Sequence, residues 1–151
     1  LCSGQIAAMI VKQLNDKKLG YDKGITKFVS LTHTEGCGVS GGRTATMQTN
    51  TLLNYLRHPF VKHALLLEHG CEMTHNDHMR RALQDLGMSP EEFGWASIQL
   101  DGGIEKVIQK VEAWFGEKIK APSPPKKMMT DLRAVRLGVY LSGQVSEEVG
   151  M

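Results

Sequence analysis

Three cysteines stand at positions 2, 37 and 71, so consecutive ones lie 35 and 34 residues apart. That interval is close to one strand-helix repeat, and in an open parallel sheet the loops after successive strands share the edge where such folds bind ligands. Cys2, Cys37 and Cys71 can therefore meet, each at the end of a strand, that of Cys2 lying upstream. Thiolates are soft donors, and three of them with an open fourth position suit zinc, iron or an iron–sulfur cluster. A Lewis acid so held grips a substrate hydroxyl and helps it leave. The other reading stays open at this level, because ordinary cysteines also pack as small hydrophobes in the cores of such folds.

Histidines gather towards the same edge. His33 precedes Cys37, His69 precedes Cys71, and His75 and His78 follow, each of a type that ligates metal or moves protons near neutral pH. On a helix His75 and His78 share a face. A polar helix start, capped by Thr74 or Asn76 with Asp77 favouring the dipole, accounts for His78; it leaves His33 and His75 as the candidate proton carriers. Gly36, Gly38, Gly41 and Gly42 lead into Arg43, whose guanidinium suits a bidentate carboxylate clamp, although simple flexibility explains the glycines equally well. Asp101-Gly102-Gly103 needs no role beyond a turn, and Met73, Met79 and Met88 fit core filling.

The elements that must position these residues follow from periodicity. Ile6, Met9, Ile10 and Leu14 recur at helical spacing, which predicts a helix over 5–14 with Ser3 as its cap. Residues 25–31 are β-branched and aromatic and run into the polar segment around Cys37, as a strand feeding a loop does. A helix over 49–57 must stop at His58-Pro59, because proline biases its predecessor away from helical angles. Residues 64–68 form the near-continuous apolar run of a strand buried on both faces. A polar helix over 77–83, a strand over 94–100 and an amphipathic helix over 104–115 complete the alternation. Its tempo predicts an α/β fold: an open, mainly parallel, Rossmann-like sheet with helices on both faces.

Residues 1–120 make that domain. Residues 121–130 are a Pro/Lys-rich linker, too proline-rich for helix or central strand. Residues 131–151 hold a further strand over 134–141 and a tail, the start of a following domain. The opening Leu1-Cys2-Ser3-Gly4 suggests a piece of a longer protein. At 151 residues and 41% hydrophobic content the chain supports one core, not two. Its 18 basic and 16 acidic side chains, net +2, are scattered, which argues against nucleic acid as a partner. No apolar run approaches the roughly 20 residues of a membrane span, and the odd count of cysteines without a CxxC pair argues against a secreted disulfide framework. The expectation is a cytoplasmic protein.

Four spaced segments carry a resemblance: Cys2-Ser3-Gly4-Gln5-Ile6-Ala7, His33-Thr34-Glu35-Gly36-Cys37, Leu56-Arg57-His58-Pro59 and Gly70-Cys71-Glu72. In this order they make residues 1–115 resemble the second domain of the altronate/galactarate dehydratase family, also called the UxaA family. The resemblance implies a dehydratase of carbohydrate metabolism acting on hexonic or hexaric acids with Fe(II) or another divalent metal. It also implies an SAF-type module upstream and a larger C-terminal catalytic domain downstream. It makes Cys2, Cys37 and Cys71 metal candidates, adds Glu72 to His33 and His75 as catalytic candidates, and points to Asn50 and Thr51 beside Arg43 as substrate contacts. Two positions depart from the family pattern. Asn50 stands where an Arg is common, and Leu141-Ser142-Gly143 where a Cys-Gly-Gly turn is usual. The implied chemistry is β-elimination of water: a base takes the proton beside the carboxylate, metal stabilises the enediolate, and the β-hydroxyl departs with acid assistance.

Three classes of function compete. The first is this lyase, with the related sulfolactate elimination as its variant; the second is a non-catalytic α/β module that completes a site only with partner domains. The third is a redox-sensing thiol protein, which needs an exposed low-pKa cysteine and a resolving partner, neither legible in a sequence. A homo-oligomer is compatible with all three.

Overall fold

The computed structural model describes residues 2–33, 37–38, 41–119 and 128–134. Four helices, α1 (Cys2–Asp16), α2 (Gly42–Leu56), α3 (Asn76–Asp85) and α4 (Ile104–Lys118), accompany two strands, β1 (Leu65–Glu68) and β2 (Gly94–Ser97). The strands pair in parallel, with Leu65 opposite Gly94 and Glu68 opposite Ser97. Gly94 is required there, because a Cβ would fall 2.6 Å from a Leu65 methyl carbon.

Side chains of a strand alternate between faces, and the two hydrophobic clusters obey this. Leu65, Leu67 and Ala96 pack with Ile10 and Leu14 of α1 and Val107 and Val111 of α4. Leu66 and Trp95 pack with Leu53 of α2 and Met79 and Leu83 of α3. Each helix buries one pair four residues apart, Ile10/Leu14, Thr49/Leu53, Met79/Leu83 and Val107/Val111, the stripe an amphipathic helix turns to a sheet. The expected α/β class with helices on both faces is present, though the sheet of the described residues has two strands rather than the breadth of a Rossmann fold.

The expected strand over 25–31 joins no ladder. The Asn15 carboxamide takes both backbone groups of Phe28: its Oδ1 accepts from the N–H at 2.9 Å and its Nδ2 donates to the carbonyl at 3.0 Å. Phe28 is thereby tied to α1, its ring buried edge-on against Phe115 with centroids 5.1 Å apart. The segment lines a cleft together with β1 instead of bonding to it.

Other boundaries shift for local reasons. Cys2 opens α1 instead of ending a strand, and Ser3 lies within the helix, so it does not cap it. His75, not Thr74 or Asn76, caps α3, its Nδ1 accepting from the His78 amide at 3.2 Å. β2 ends at Ser97 because Asp101 folds back to accept the Ser97 amide at 2.8 Å, while Lys110 clamps the same carboxylate. Met79 is buried and Met88 half-buried in the core, whereas Met73 is exposed. Residues 120–127 and 135–151, including most of the expected linker and final strand, lie outside the described residues. No described helix is long and apolar enough to cross a membrane.

Candidate functional site

The loop leaving β1 is held by its own acid. Glu72 accepts the His69 amide at 2.7 Å and the Gly70 amide at 2.8 Å, and receives the Ser3 hydroxyl at 3.0 Å. Burial alone would raise this carboxyl, but the amides of His69, Gly70 and Glu72 itself and the Ser3 hydroxyl hold it below the usual range, since each bond favours the charged form. Gly70 makes the tight path feasible: its φ is 119°, and a Cβ would meet Gln99 Oε1 at 2.6 Å.

Two bonds then tie the cysteine-bearing segments to one another. Glu72 ties the loop to Ser3, the neighbour of Cys2, and the Met73 amide donates to the Cys37 carbonyl at 3.1 Å. Cys71 lies between these anchors. Its thiol is pushed up first by desolvation, then by the electrostatic influence of Cys37, Glu72 and Cys2. Cys71 Sγ also stands 3.4 Å from His69 Nδ1. All three thiols are free and exposed, so they are not the buried space-fillers that spacing alone allows. Among the described residues no three His, Cys, Asp or Glu side chains are already arrayed around a common metal position.

A cleft of about 370 Å³ opens between α1, the extended segment, α2 and β1. Ser3, His33, Gln48, Glu68, Glu72 and Asn76 supply polar groups to its lining, and Ser3 and Glu72 join it to the sulfur cluster. His33 Nε2 lies 3.2 Å from Gln48 Nε2, and Gln48 Oε1 is buried without a partner among the described residues. His75 lines a second cavity, about 320 Å³, beside Arg80 and Trp95. Arg43, Asn50 and Thr51 are exposed and line neither cavity; the Thr51 hydroxyl bonds back to the Met47 carbonyl of its own helix at 2.8 Å.

Glu68 and Gln48 were not singled out by sequence reasoning. Glu68 is 8% exposed, lines both cavities, and accepts the Asn76 amide at 2.5 Å. A charge closing an apolar strand was the available signal; Gln48, one polar residue among many on α2, offered none.

The family described as D-galactarate dehydratase/Altronate hydrolase, second domain, matches residues 1–121. The chain belongs to that family. The dehydratase/hydrolase match takes in all four helices, both strands and every residue of the sulfur cluster. No curated protein and no solved structure matches the chain.

Proposed function

We propose that this domain supplies the sulfur-rich side of a metal-assisted hydro-lyase site for sugar acids such as altronate or galactarate, in an enzyme completed by other domains. The observation that carries the reading is that the segments bearing Cys2 and Cys37 are each tied by a hydrogen bond to the Cys71 loop, beside a polar cleft, in a chain of the dehydratase/hydrolase family. The donor set fits a thiophilic divalent ion by type, iron(II) or zinc, or an iron–sulfur cluster. Cys2, Cys37 and Cys71 would hold the ion, and its chemistry would be Lewis-acid polarisation of a substrate oxygen.

The chain's own residues have separable tasks. Glu72, ionised and with both oxygens bonded, keeps the Cys71 loop in place and is a positioning residue, a reassignment of the acid first read as a proton carrier. His33 carries the proton: its ring opens on the cleft and the Gln48 amide orients it. His75 uses Nδ1 as a cap acceptor, which leaves Nε2 as its free ring nitrogen to act as a proton donor. Arg43 is kept as the carboxylate clamp, with Asn50 about two turns further along the same helix face. Free thiols persist in a reducing cytoplasm, where we place the protein.

Anaerobically purified protein, wild type against a Cys37→Ser/Cys71→Ser double variant, tests this by elemental analysis and absorption, with turnover of altronate and galactarate by the full-length enzyme. Iron bound by the wild type and lost in the variant is the expected result. Metal-free protein in both would favour a non-catalytic module, the reading that the absence of a preformed donor array among the described residues supports; turnover of sulfolactate alone would favour the sulfo-lyase variant.

A further inference from the structure

The described residues leave one buried side-chain polar atom without a hydrogen-bond partner, Gln48 Oε1. A buried acceptor left unpaired costs stability, so native folds keep few of them and each calls for a reason. Gln48 sits on α2 and lines the cleft beside β1, and its Nε2 lies 3.2 Å from His33 Nε2. The carboxamide is thus engaged at one end and unsatisfied at the other.

The polar residues that share the cleft have already committed their side chains elsewhere. Ser3 gives its hydroxyl to Glu72, and Asn76 gives its side-chain amide to the Ala96 carbonyl at 3.0 Å. Glu68 and Glu72 act as acceptors, taking the backbone amides of Asn76, His69 and Gly70. This part of the wall is therefore rich in acceptors, while Phe28, Leu65 and Leu67 give the cleft an apolar side. A carbon chain bearing several hydroxyls matches both, because its O–H groups donate and its C–H faces pack on apolar side chains. At about 370 Å³ the cleft has the size of a small-molecule site.

We propose that Gln48 is a substrate-binding residue: its Oε1 accepts a hydrogen bond from a hydroxyl of a polyhydroxy acid in the cleft, while its Nε2 keeps the contact with His33. One carboxamide then reads a ligand hydroxyl and positions the ring of the proton carrier. That the ligand is a sugar acid rests on the function proposed above; that Oε1 lacks a donor from the described residues is a property of the structure alone. A polar group kept for a ligand works against the stability of the empty protein. An apolar replacement of the same length therefore separates two effects, a gain in stability and a loss of recognition, that a purely structural glutamine would not show together.

Gln48→Met makes that replacement. Without ligand, the Tm of the variant chain should rise by about 3 °C, since no buried acceptor is left unpaired. Binding of galactarate, altronate and their monodeoxy analogues to the full-length enzyme is then measured by calorimetry. Removal of one particular hydroxyl should weaken binding to the wild type about tenfold and to Gln48→Met less than about twofold. A lower Tm in Gln48→Met, the same discrimination in both proteins, or a wild type that binds neither acid or ignores every missing hydroxyl would overturn the proposal. Turnover is followed on the same preparations. Enzyme that binds these acids through Gln48 yet eliminates no water counts against the hydro-lyase reading and leaves this inference standing, whereas turnover with discrimination untouched by Gln48→Met counts against this inference alone.

Discussion

Glu72 shows how one side chain can organise a loop. Three bonds from His69, Gly70 and Ser3 converge on it, and a hydrogen bond to a charged group is worth more than a neutral one. Because its folded-state pKa is lowered from the ordinary 4.5, its contribution is complete above that pH and is lost as pH falls through the lowered value. Glu72→Gln is expected to destabilise by about 1 kcal/mol at pH 7, the charge-assisted bonds being discounted for solvent exposure. The difference from wild type should shrink below pH 4, as read from urea midpoints at several pH values. A constant difference across that range would mean that the carboxylate charge plays no part. The residue was legible as a candidate; its task was not, since nothing in Gly70-Cys71-Glu72 says that the acid turns back on its own loop.

Among the elements, the segment over 25–31 carries the main lesson. Its β-branched and aromatic composition is that of a strand, and composition reports fitness for a half-buried extended surface, yet of these residues only Phe28 is buried. Ladder membership depends on where its amides point, and at Phe28 Asn15 decides that from another element. Asn15→Ala removes both partners of a half-buried donor and acceptor, at a cost of about 2 kcal/mol, and should raise amide exchange at Phe28 in hydrogen–deuterium measurements. Unchanged protection there would contradict the pairing. The α-helical stripes were more readable, because an apolar residue every fourth position has one solution against a sheet. The caps were less so: His75 serves where Thr74 and Asn76 have the commoner capping side chains.

For the whole molecule, the sheet separates two apolar clusters, and Leu83 and Val107, each wholly shielded from solvent, lie on opposite faces of it. Leu83→Ala is expected to cost about 3 kcal/mol and Val107→Ala about 2 kcal/mol by lost burial and cavity formation. Without shared contacts the double variant should equal the sum within about 0.5 kcal/mol. Strong non-additivity in denaturant unfolding would show that the two faces form one coupled core.

By itself the sequence determined the α/β class, the positions of three helices and both strands to within a few residues, the second half of α2 but not its start at Gly42, and the family, because periodicity, glycine and proline placement and short motifs are local. It also brought Cys2, Cys37 and Cys71 under suspicion by their near-equal spacing. Only the tertiary structure decided that these thiols are open to solvent, that 25–31 stays out of the sheet, and that Glu68 and Gln48 face the cleft. Those outcomes hang on single bonds between residues far apart in the chain, Ser3 with Glu72, Cys37 with Met73 and Asn15 with Phe28, and no local pattern records which distant partner a polar group will find.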